Sequence, residues 1–120
     1  MEIIAVANEI ENRIKMLETG RKQLQIRSER RADTIGQYEK VLGVTIMRLK
    51  NGVEFTLDDV EISNPPATIT ERIARAICFQ AKIDMEQAET EYKNAVKGLE
   101  CIQAELNGYQ SIFRFLDSKP

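Results

Sequence analysis

Apolar residues recur at steps of three and four in two long stretches of this chain, and a polar segment rich in turn formers separates them. The first array runs Ile3, Ala7, Ile10, Ile14, Leu17 and, after a weak middle, resumes at Ile35, Tyr38, Leu42 and Leu49. The second runs Met85, Ala88, Tyr92, Ala95, Leu99, Ile102, Leu106, Tyr109, Phe113 and Leu116. Such spacing places each set on one stripe of an α-helix, and each stripe needs a partner. The break, centred on Asn51-Gly52 and Asn64-Pro65-Pro66, allows the chain to reverse. The expected fold is therefore all-α, an antiparallel two-helix coiled-coil hairpin forming one domain over residues 1–120. Its helices are expected over 3–50 and 68–117, with a short acidic β-like or irregular tip over 51–67.

Local signals support those bounds. Good helix formers dominate residues 3–50, and no proline interrupts them. Gly20, Gly36 and Gly43 each weaken that helix by about 1 kcal/mol relative to alanine, and Gly98 and Gly108 are the weak points of the second. Asn51-Gly52 is a C-terminal stop. Val53-Glu54-Phe55-Thr56-Leu57 alternates apolar and polar residues, as a short strand does. Thr56-Leu57-Asp58-Asp59 is equally compatible with a capped helical turn, and the choice stays open at this point. Thr68 or Thr70 is placed to cap the second helix, with Glu71 completing a capping box on Thr68.

Folded back on one another, the two arrays select a register in which the numbers of facing residues add to about 119. Leu17 then faces Ile102, Ile10 faces Tyr109 and Tyr38 faces Ala81. Arg21, Ser28 and Arg31 take the weak middle of the first seam, opposite small or amphipathic residues. Charge selects the same register, because Arg27, Arg30 and Arg31 fall opposite Asp84, Glu86, Glu89 and Glu91. Many apolar side chains remain off the seam, among them Ile4, Met16, Ile26, Met47, Phe79, Ile83, Ile112 and Phe115. Exposed together they exceed the apolar patches that monomers tolerate, so two hairpins are expected to pack as a homodimeric four-helix bundle or a higher oligomer.

Composition removes several function classes. Charged residues make up 30% of the chain yet the net charge is only −2, which suits salt-bridged helices rather than a polybasic nucleic-acid binder. There is no histidine, so the commonest general base and metal ligand are missing. Cys78 and Cys101 are separated by about 34 Å on one straight helix, too far to bridge within it. They read as reduced thiols, and neither has the neighbours of a zinc site. No catalytic motif, metal set or cofactor site stands out, so no enzyme and no cofactor is expected. No apolar run approaches the roughly 20 residues of a membrane span, and the start lacks a signal-peptide pattern. A cytoplasmic location is the expectation.

Two constellations remain as binding candidates. The tip carries Glu54, Asp58, Asp59 and Glu61 with no lysine or arginine over residues 51–70, and apolar Phe55 lies among them. Glu54, Phe55, Asp58, Asp59 and Glu61 are the candidate partner-binding surface, because loops on rigid scaffolds often carry recognition. The second is the basic cluster Arg21, Lys22, Arg27, Arg30 and Arg31, whose spacing could track phosphates along a helix face. Register places most of that cluster against carboxylates, and only Tyr38 and Tyr92 are near enough for base stacking. Nucleic acid is the disfavoured alternative.

The stretches "EIENRIKMLETGRKQL", "RLKNGVEFTLDD" and "AELNGYQSIFRFLDS" resemble small coiled-coil proteins encoded by phages and prophages of Gram-positive bacteria. That resemblance covers most of the chain and implies an accessory protein, often sited among recombination, replication or host-takeover functions. It carries over no functional residues. The order of helix, short β-like segment and return helix is similar to a prefoldin beta subunit, which implies a holdase chaperone, although a linker of about fifteen residues leaves less strand than prefoldin uses. A long antiparallel helical pair also resembles the Gam-type nuclease inhibitors that bind DNA ends, from which the net charge of −2 departs. The leading expectation is a non-enzymatic interaction protein that binds and modulates a protein of nucleic-acid metabolism or host defence. Direct DNA or RNA binding in recombination or replication, and a prefoldin-like holdase, are the alternatives.

Overall fold

The computed structural model describes residues 2–119. Helix α1 runs Ile3–Lys50, strand β1 Phe55–Leu57, strand β2 Val60–Ile62, helix α2 Thr70–Ile77 and helix α3 Phe79–Asp117. Helix makes up 81% of the structure, so the apolar stripes are covered helix on helix, with α1 packing against α3. The stop at Asn51-Gly52 is a Schellman motif. Val53 N–H donates to Arg48 O at 3.0 Å and Gly52 N–H to Leu49 O at 3.2 Å. Gly52 takes the left-handed φ of 79° that this motif needs.

The expected second helix over 68–117 is two helices. It starts at Thr70, and Cys78 separates α2 from α3. No proline or glycine causes the break. Cys78 has φ −88° and ψ 21°, and the buried Thr45 Oγ1 lies 3.3 Å from its Sγ, a polar contact from α1 at the point where the backbone departs from the helix. The expected cap is also absent. Ile69 holds the N-cap position without a side-chain bond, and the Thr70 hydroxyl donates to Pro66 O at 3.1 Å. Ile69 N–H donates to the same carbonyl at 3.0 Å, so the tight turn after Pro65-Pro66 satisfies itself.

The chain divides into two compact units. One comprises the described residues up to Glu29 together with those from Thr90, and the other is Arg30–Glu89. In the first, α1 and α3 are antiparallel neighbours. Arg13 bonds Glu105, Gly20 meets Leu99 and Arg27 bonds Glu91, so rising positions on α1 meet falling positions on α3. Val6, Leu17 and Leu106 are buried there. In the second unit Arg31 pairs with Glu89, Tyr38 lies under Lys82 and Thr45 touches Cys78, again in antiparallel order. Leu49, Ala74, Cys78 and Ala88 form its buried apolar set, with Thr45 and Thr70.

The α3 stripe sits where periodicity places it, with Ala88 and Leu106 buried and the other eight members half-buried. On α1 the expected stripe is buried at Leu17 and Leu49 and half-buried at Ala7, Ile10, Ile35, Tyr38 and Leu42, but in the first unit part of it is rotated by one residue. Arg21 and Ser28 are exposed, and so is Ile14 at 42%. Val6, Arg13, Gly20 and Arg27 are the covered residues instead. The reason is steric and electrostatic. Turning Gly20 inward lets α3 approach so closely that a Cβ on Gly20 would stand 2.5 Å from Leu99 Cδ2. The same rotation brings Arg13 and Arg27 within bonding reach of Glu105 and Glu91.

Candidate functional site

Beyond the Schellman stop the chain forms a two-stranded antiparallel ladder, Phe55 opposite Ile62, Thr56 opposite Glu61 and Leu57 opposite Val60. This resolves the open choice at Thr56-Leu57-Asp58-Asp59 in favour of strand. Alternation puts Phe55, Leu57, Val60 and Ile62 on one face and Thr56 and Glu61 on the other. Phe55, Leu57 and Ile62 are half-buried, whereas Val60 is 61% exposed. Phe55 therefore braces the hairpin through its cross-strand neighbour, and the carboxylates of Glu54, Asp58, Asp59 and Glu61 are all exposed.

Asp58 and Asp59 form the two-residue turn, with φ of 48° and 64°. Positive φ at both central positions defines the type I′ turn, whose twist suits a tight hairpin. Asn-Gly is the cheapest dipeptide there, because glycine has no Cβ to clash in the left-handed region. This turn holds two adjacent carboxylates in that strained region instead. Asn64, the third non-glycine residue with positive φ, directs its side-chain oxygen to within 3.3 Å of where a Cβ on Gly52 would lie.

The basic cluster is dispersed by its own partners. Arg27 Nη1 lies 3.2 Å from Glu91 Oε2 in the first unit, and Arg31 Nε bonds Glu89 Oε2 in the second. Arg21, Lys22 and Arg30 are exposed. One cation that sequence reasoning missed is more firmly engaged. Arg13 Nε donates to Glu105 at 2.6 Å, its Nη1 stands 3.1 Å from Glu9, and its guanidinium lies 5.4 Å from the Tyr109 ring centroid. The hydrogen bond to Glu105 holds Arg13 protonated more firmly than a free arginine. The signal available was charge register, since Arg13 falls opposite Glu105 as Arg27 falls opposite Glu91.

Among the described residues no group of three Cys, Asp or Glu side chains gathers as a metal site requires. No described helix is long and apolar enough to cross a membrane. Comparison with family profiles, with curated proteins and with solved structures finds no match.

Proposed function

We propose that this chain is a non-enzymatic interaction protein whose helices present the acidic β-hairpin to a protein partner. The observation that carries the reading is the Asp58-Asp59 turn. Both residues occupy a backbone region that glycine fills at lower energy, so the sequence accepts local strain in order to keep two adjacent charges at the point of reversal. Glu54 and Glu61 extend that charge, and no lysine or arginine over 51–70 neutralises it. A surface of this kind complements a basic concavity, the type of site with which proteins of nucleic-acid metabolism hold phosphates. Inhibition or adaptation of such a protein, in the accessory manner of phage-encoded coiled-coil proteins, is the role we assign.

The helical hairpin is, in this reading, a self-associating scaffold. Only seven apolar residues among those described are buried, and Ile4, Met47, Phe79 and Phe115 are each more than half exposed. Two chains packed as a four-helix bundle cover such flanks.

The test is affinity capture from the native host with the full chain, at low and high salt, in parallel extracts with and without nuclease treatment. The arms are the natural sequence, Asp58→Lys with Asp59→Lys, and Arg21→Glu with Lys22→Glu. A specific protein retained by the natural sequence and by the Arg21/Lys22 variant, and lost with the reversed turn, supports the reading. Recovery of nucleic acid that the Arg21/Lys22 variant loses overturns it in favour of phosphate binding.

A further inference from the structure

We infer that Asn51 is a site of spontaneous covalent modification, at which the Gly52 backbone nitrogen displaces the side-chain amide as ammonia. The chemistry belongs to asparagine followed by glycine. The nitrogen after the asparagine loses its proton to water and attacks the side-chain carbon Cγ. The N–Cγ bond forms, the Cγ–Nδ2 bond breaks, and ammonia leaves with a proton. A cyclic imide remains. Water opens it at either carbonyl, giving aspartate by one route and the β-linked isoaspartate by the other. Glycine favours ring closure because it has no Cβ to obstruct the approach. A following proline prevents it, because its nitrogen carries no proton to lose.

Of six asparagines in the chain, two precede glycine, in Asn51-Gly52 and Asn107-Gly108. The fold separates these identical dipeptides. Asn107-Gly108 lies inside α3, where the helical ladder holds its peptide units. Gln103 Nε2 donates to Asn107 Oδ1 at 3.0 Å, and the Ser111 hydroxyl donates to the Asn107 carbonyl at 3.1 Å. Ring closure there requires opening the interior of a long helix. Asn51 stands just past the end of α1 and is exposed. Among the described residues no hydrogen bond holds its side-chain amide. The Gly52 N–H is held by the bond to Leu49 O at 3.2 Å, a three-residue span whose geometry is poorer than the α-helical bond. Helix ends fray, and they open at far lower free energy than helix interiors.

The product changes the joint between α1 and the β-hairpin. Aspartate at position 51 sets a negative charge beside the last carbonyls of α1, which the helix dipole disfavours. Isoaspartate also adds a carbon to the main chain between positions 51 and 52. That displaces the Gly52 and Val53 donors from Leu49 O and Arg48 O, the two bonds that make the Schellman stop. Modification therefore loosens the connection that carries the hairpin. Neither effect depends on whether the tip binds a partner.

The test ages the full chain in warm, mildly alkaline buffer, folded in one arm and unfolded in urea in the other. Peptide mass spectrometry reads conversion at each site, and labelling by an isoaspartate-specific methyltransferase identifies the β-linked product. In the folded chain conversion at Asn51 is expected to be at least about tenfold faster than at Asn107, because the helix end opens more readily than the interior. In urea the two rates are expected to agree within about twofold, since local sequence alone then acts. Asn51→Gln is expected to reduce the label taken up by the folded chain to what Asn107 contributes. Amide exchange at Gly52 and Val53 is expected to be faster in the aged chain than in Asn51→Asp, which carries the charge without the lengthened linkage. Equal exchange in those two samples overturns the loosening of the stop. Equal conversion of the two asparagines in the folded chain, or conversion of Asn51 in urea alone, overturns the site itself.

Discussion

Asp59→Gly separates backbone strain from charge at the hairpin turn. A left-handed L-residue carries about 1–2 kcal/mol of steric cost, which aspartate reduces through local hydrogen bonding. Asp59, at φ 64°, retains part of it. Glycine removes that cost but loses roughly 0.5–1 kcal/mol more conformational entropy on folding. Relief of repulsion among Asp58, Asp59, Glu54 and Glu61 adds a few tenths of a kcal/mol, since all four are exposed and screened. The net expectation is a gain of about 0.5 kcal/mol. For a 120-residue chain that is a rise of about 2 °C in melting temperature. Thermal unfolding followed by circular dichroism reads it at fixed protomer concentration, because self-association couples to stability. Amide exchange at Leu57 and Val60 localises the gain to the ladder. Partner affinity is expected to move the opposite way, since one of four carboxylates is lost. A variant less stable than the natural chain would show that Asp59 carries no strain for glycine to relieve. A variant more stable and equally well bound would remove charge as the reason this turn is Asp-Asp.

Two further expectations concern the seam in the first unit. Gly20→Ala gains about 1 kcal/mol of helix propensity and loses a similar amount by displacing the Leu99 methyl 2.5 Å from its Cβ, so alone it is near neutral. Leu99→Ala alone costs about 1–3 kcal/mol, and the double substitution is expected to be more stable than the sum of the singles by about 0.5 kcal/mol or more, a coupling that urea unfolding reads directly. The Arg27–Glu91 pair, with both side chains about two-fifths exposed, is expected to show a coupling below about 1 kcal/mol in a cycle of Arg27→Ala and Glu91→Ala, fading at about 0.5 M salt. A larger, salt-insensitive coupling would show that the pair is dehydrated.

What the sequence makes legible here is whatever one element decides alone. The α3 stripe is one unbroken run of apolar residues, so its phase has a single solution. The stop at Asn51-Gly52 is local chemistry and appears as a Schellman motif. On α1, two phases share Ile10 and Leu17; apolar periodicity favours the one through Ala7 and Ile14, whereas the structure covers the one through Val6, Arg13 and Gly20. The opposing helix ranks them, through the fit of Leu99 over Gly20 and the reach of Glu105 and Glu91. Charge complementarity already reported the correct pairing of the helices, because register survives a rotation that burial pattern does not. The hairpin stays ambiguous because Asp-Asp is not the dipeptide that announces a type I′ turn, and the interruption at Cys78 contains neither of the residues that usually break a helix. Glycines show the same limit most clearly. In the sequence each helical glycine reads as the same loss of stability. The structure sorts them, Gly20 by the Leu99 methyl packed over it, Gly36, Gly43, Gly98 and Gly108 by open space around them.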